Sequence, residues 1–126
     1  MERESVPHDT RSMIASRLSA LRIRFLDVLE TRLNEVEALR DALEAGGLPQ
    51  AVREDHVRAI CFAAHKTVGV AATLGFADLG MLSQRVELAA TDHLEHREPP
   101  TTPRMVVALT DDMLGEMALI LAQAGR

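Results

Sequence analysis

The sequence predicts an all-α fold, an antiparallel up-and-down four-helix bundle with an N-terminal helical extension. Three observations carry that prediction. The aromatic residues are Phe25, Phe62 and Phe76, with no Trp or Tyr, so the core must be built from Leu, Val, Ile, Ala and Met. That palette suits helices better than strands, which favour β-branched and aromatic residues. Apolar residues recur at steps of three and four, and no segment shows the alternation of a strand. Gly and Pro punctuate this pattern at Gly46-Gly47, at Gly75 and between Pro99 and Pro103. Short connections between long helices make neighbours antiparallel.

The first segment is expected from about Asp9 to Ala45, capped by Asp9 or Thr10. Ile14, Leu18, Leu21, Phe25, Leu29, Leu33, Val36, Leu39 and Leu43 trace one face of it. Its length for a single globular helix points to a break near Ser16–Ser19. Gly46-Gly47 stops it and Pro49 follows. The second segment is expected from Pro49 to Leu74, with Val57, Ile60, Cys61, Ala64, Val68 and Ala71 as its apolar stripe and Gly75 at its C-terminal cap. The third should run from Ala77 to Glu95 with Leu79, Leu82, Val86 and Ala89 inward. After a proline-rich loop, Thr102 can cap the fourth, with Pro103 at its first position. Val106, Leu109, Met113, Met117 and Ile120 share one face of that helix.

The chain has 126 residues, the size of one domain, and is read as a single domain over 1–126. Its one cysteine, Cys61, cannot form an internal disulfide, which fits a reducing compartment, and a cytoplasmic location is expected. The N-terminal residues carry charges without an apolar stretch, so no secretory signal is expected. No apolar run approaches a membrane span. Against 14 Lys and Arg stand 19 Asp and Glu, a formal charge of −5. Such a balance argues against general nucleic-acid binding, which depends on Lys and Arg displacing counterions.

The stretch with chemical content is Ala64-His65-Lys66-Thr67-Val68-Gly69-Val70-Ala71-Ala72-Thr73-Leu74-Gly75-Phe76. The helical wheel centres the apolar stripe near Ala64 and Val68, both expected to be buried, and sets His65 about 80–90° away. A histidine at that edge can rest on the protein while one ring nitrogen reaches solvent. A neutral imidazole nitrogen is a nucleophile near neutral pH. Gly69 lies one turn on; its missing side chain either clears space for a partner or permits tight helix packing. Phe62, one turn before His65, is either part of a docking patch or buried under the first helix. Lys66 reads as a solvated charge or a docking cation.

Cys61 is a helical neighbour of His65, but its place in the apolar stripe makes it a small core residue rather than a nucleophile. His93 and His96 read as a charged helix end, and no metal site is assigned.

The His65 stretch resembles the signature of histidine-phosphotransfer domains. There a helix carries Ala-His-x-x-Lys-Gly, followed by small residues and Leu-Gly-Phe. Leu79 and the Leu82…Val86-Glu87 pattern resemble the family's next helix, and the likeness extends over about residues 20–122. The resemblance implies a phosphocarrier without ATP-binding or autokinase function. His65 is then the phosphoacceptor, and Phe62, Lys66, Gly69 and Ala72 form the docking surface. It implies as partner a receiver domain of a response regulator, of a hybrid histidine kinase, or of both. No cofactor, nucleic acid or membrane is implied, and a monomer is expected. One position departs from the pattern, because Val68 stands where the family usually has Lys. That departure leaves open a degenerate module that docks without transfer, and the long first segment leaves open a helical scaffold or dimerisation domain.

Overall fold

The computed structural model describes residues 7–126 and has four helices, α1 (His8–Ala45), α2 (Gln50–Ala71), α3 (Ala77–Leu94) and α4 (Pro103–Gln123). Each helix packs on the next, and α4 closes against α1, while α2 and α4 touch only slightly across the diagonal. The result is the up-and-down bundle that the periodicity predicts. No strand occurs among the described residues.

The core is aliphatic. Leu29, Val36, Ile60, Ala64, Leu79, Val86, Met113 and Met117 are fully buried in one cluster, and Val57, Ala90 and Val106 form a second. Phe25 and Phe76 stack with centroids 5.6 Å apart, closing one end.

Helix α1 is longer than its neighbours, with 38 residues against 22 in α2. At 1.5 Å per residue its axis measures about 57 Å and that of α2 about 33 Å, so one end overhangs the bundle. Residues 7–24 are all exposed, and the first buried residue is Phe25. The expected break at Ser16–Ser19 does not occur. Both serines point to solvent, and serine in an exposed turn costs too little to interrupt a helix. The expected side-chain cap is also absent. The N-cap residue is Pro7, whose carbonyl accepts from the Arg11 amide at 3.0 Å, so Asp9 and Thr10 already lie inside the first turn.

The other ends follow the sequence closely. Gly46 caps α1 with φ +73°. Beyond α2 the Phe76 amide bonds the Ala71 carbonyl at 2.8 Å and the Gly75 amide bonds that of Ala72 at 3.1 Å, the two bonds of a Schellman cap, with Gly75 at φ +90°. Arg22 of α1 donates from Nε to the Leu74 carbonyl at 3.0 Å, tying this end of α2 to the overhanging helix. Thr102 Oγ1 accepts from the Met105 amide at 3.2 Å, with Pro103 next, as expected for α4.

Two inward faces are corrected. On α2 the fully buried residues are Val57, Ile60, Ala64, Thr67 and Ala71, while Val68 is half-buried. Thr67 can occupy the core because its hydroxyl is satisfied: it donates to the Ala63 carbonyl and accepts from Arg32 Nη1, both at 2.8 Å. On α3, Leu82 and Ala89 are half-buried, and Gly80, Ser83 and Ala90 join Leu79 and Val86 inside. Small residues let α3 approach α2 closely; a Cβ on Gly80 would sit 3.6 Å from that of Ala72.

Candidate functional site

Burial of Ala64 fixes the rotation of α2, and that rotation turns His65 outward. The His65 side chain is 70% exposed, on the flank of α2 that faces α3. Its Nδ1 lies 2.6 Å from Oε2 of Glu87, a side chain set on α3 beside the buried Val86. An ionised carboxylate only accepts hydrogen bonds, so Nδ1 is the donor in this pair. In the neutral ring the lone pair then resides on Nε2, which points away from the contact. Helix packing therefore sets a carboxylate beside one ring nitrogen of an exposed histidine.

The shallow surface around this pair is lined by Arg58, Cys61, Phe62, His65, Glu87 and Thr91. Cys61 turns to α3, where Sγ lies 3.7 Å from the Glu87 carbonyl and 3.5 Å from Thr91 Oγ1. Cys61 is therefore half-buried at the α2–α3 seam and not among the fully buried residues its place in the apolar stripe predicts. Phe62 is 61% exposed, which removes the alternative of burial under α1. Lys66 is exposed and its Nζ lies 4.5 Å from the Phe62 ring centroid, a cation–π contact on the outer surface of α2.

Gly69 is exposed, and a Cβ built there would meet no atom within 4 Å. Tight internal packing therefore does not explain this glycine, and open space above α2 does. Ala72 is exposed two turns beyond His65. Phe62, His65, Lys66 and Gly69 on α2 and its C-cap residue Ala72 are all exposed. Val68, at the position where resemblance calls for Lys, is half-buried and supplies no charge.

His93 Nδ1 donates to the Thr101 carbonyl at 2.7 Å and fastens the loop between α3 and α4. Among the described residues, no three His, Cys, Asp or Glu side chains gather as a metal site requires. Glu87 is the site residue that sequence reasoning missed. It appeared there only as part of a helix pattern, and the pairing with His65 depends on how α3 is set against α2, which the sequence pattern does not carry.

A model of the Hpt domain family matches residues 20–120. The chain belongs to the Hpt domain family, the class of phosphocarrier modules that serve histidine phosphotransfer in phosphorelays and interact with receiver domains and kinases. No curated protein and no solved structure matches the chain. No described helix is long and apolar enough to cross a membrane.

Proposed function

We propose that this chain relays a phosphoryl group between receiver-domain aspartates through Nε2 of His65. The observation that carries the reading is the exposed imidazole whose Nδ1 is held by Glu87 at 2.6 Å. The Nε2 lone pair attacks the phosphorus of a receiver's aspartyl phosphate. The N–P bond forms as the P–O bond to the aspartate breaks, and the carboxylate leaves with the electron pair. The ring gains positive charge in this step, and the Glu87 carboxylate beside Nδ1 offsets it. Transfer to a second receiver's aspartate is the same step reversed. Any Mg²⁺ belongs to the receiver, because His65 needs only position and a free lone pair.

Phe62, Lys66, Gly69 and Ala72 form the surface on which the receiver docks. The whole chain acts as one cytoplasmic module, as a monomer. A second reading, docking without transfer, is favoured by Val68, which leaves the usual cation position uncharged.

One experiment separates the two. Phosphate transfer from phosphorylated receivers is followed for wild type, His65→Gln and Val68→Lys, with circular dichroism as a folding control. Wild type is expected to accept phosphate in an acid-labile linkage and His65→Gln to accept none while remaining folded. Val68→Lys is expected to speed transfer by placing a positive charge near the phosphoryl oxygens. Acceptance by Val68→Lys alone would establish the docking module, and acceptance by His65→Gln would assign the wrong histidine.

A further inference from the structure

A phosphoryl group on Nε2 of His65 would enter a surface whose charge is already negative. The Glu87 carboxylate lies beside the ring, and the half-buried Val68 is uncharged. Phosphorylation adds a charge of about −1.5 to −2 at neutral pH. The shallow surface that holds His65 and Glu87 is lined by one cation, Arg58, together with Cys61, Phe62 and Thr91. Seven residues turn an α-helix through about 700°, close to two full turns, so Arg58 stands on the same strip of α2 as His65, about 10 Å toward the N-terminus. A helical side chain leans over the turn N-terminal to its own Cα, which inclines the imidazole toward Arg58. Lys66 is turned about 100° away on the helix, its Nζ lies 4.5 Å from the Phe62 ring centroid, and it does not line this surface.

Arg58 itself reaches the other way. Its Nη1 donates to Oδ1 of Asp55 at 2.6 Å, and the two side chains are 60% and 73% exposed. An exposed ion pair of this kind is weakly held, whereas an Arg–phosphate hydrogen bond joins a guanidinium to a group of higher charge. We propose that Arg58 is the phosphoryl-binding cation of this chain, released from Asp55 when Nε2 of His65 is phosphorylated and then donating to the phosphoryl oxygens. The proposal rests on the reading of His65 as phosphoacceptor and adds the residue that neutralises the product. Asp55 holds that residue aside in the unphosphorylated chain.

The test uses the full chain without a receiver, with phosphoramidate as phosphoryl donor. Nε2 attacks phosphorus, the P–N bond of the donor breaks, and ammonia leaves with the electron pair, while the Nδ1 proton stays on the ring. ³¹P NMR then follows the pH titration of the bound phosphoryl group, whose last proton leaves near pH 6 or so. A guanidinium in contact favours the dianion, so Arg58→Ala is expected to raise the titration midpoint by about 0.5 pH unit and Arg58→Lys by less. Asp55→Asn frees Arg58 and is expected to lower the midpoint and to speed labelling about twofold. In the Arg58→Ala background the same Asp55→Asn change is expected to do neither. Circular dichroism checks that each variant is folded. An unchanged midpoint in Arg58→Ala overturns the proposal. So does an Asp55→Asn effect that persists without Arg58, or a shift in Lys66→Ala larger than that in Arg58→Ala. Failure of phosphoramidate to label His65 overturns it together with the relay. If receivers give wild type no phosphate while phosphoramidate labels His65 with the Arg58 shift, the relay reading falls and the phosphoryl contact stands.

Discussion

His65 and Glu87 form a two-residue device whose parts come from different helices. On the proposed relay, the exposed histidine would supply the nucleophilic atom, and the carboxylate beside Nδ1 would limit the ring's freedom to turn and to change tautomer. Hydrogen bonds to charged groups are worth about 1.5–3 kcal/mol where both partners are held in place, and the low end applies at an exposed site. A loss of about 1.4 kcal/mol corresponds to tenfold in rate. Glu87→Leu is therefore expected to slow phosphoryl transfer about tenfold with the bundle intact, and Glu87→Gln, which can still accept from Nδ1, to recover part of that loss. Transfer rates together with the ¹⁵N tautomer signature of the His65 ring check this; an unchanged tautomer in Glu87→Leu would show that the carboxylate does not orient the ring. The flank occupied by His65 was legible because one helix and its stripe determine it. The Glu87 contact was not, because it depends on how α3 is set against α2, and a single helical wheel carries no such information.

At the scale of the element, α2 is shaped by two glycines with opposite tasks. Gly75 adopts φ +90° in the Schellman cap, where a side chain is strained, and a Cβ would also come within 2.9 Å of Arg22 Nη2. Gly75→Ala is expected to cost about 1–2 kcal/mol in stability, measured by urea unfolding. Gly69 has ordinary helical backbone and open space around it. Gly69→Ala is expected to add up to about 1 kcal/mol to stability, while Gly69→Gln slows transfer by obstructing a docked receiver beside His65. Native transfer by Gly69→Gln would remove the clearance argument. The cap at Gly75 was readable directly, since few residues can serve that geometry. On the inward face of α2, Ala64 and Ala71 were read correctly and Val68 was read in place of Thr67, because Thr67 counts as polar in a periodicity search. Its hydroxyl is nonetheless fully paired with Ala63 and Arg32.

Across the whole molecule, the bundle and its order follow from Gly and Pro punctuation and from the aliphatic core. The extent of packing along α1 does not, because its apolar pattern continues unchanged from the buried Leu29 back to the exposed Ile14. Sequence periodicity marks a face that can be buried; only the lengths of the neighbouring helices decide where cover ends. Arg22 and Phe25 mark that boundary, one tied to the Leu74 carbonyl and the other stacked on Phe76. Their position gives α1 two regimes of protection against deuterium. Amides around Leu29 and Val36 can exchange only when the bundle opens, whereas those between Arg11 and Leu18 rely on helix propensity alone, which is marginal in water at this length. Exchange rates measured residue by residue should therefore fall steeply between Leu18 and Leu29 within one uninterrupted helix. A uniform protection along its length would mean that the overhanging turns are covered in solution.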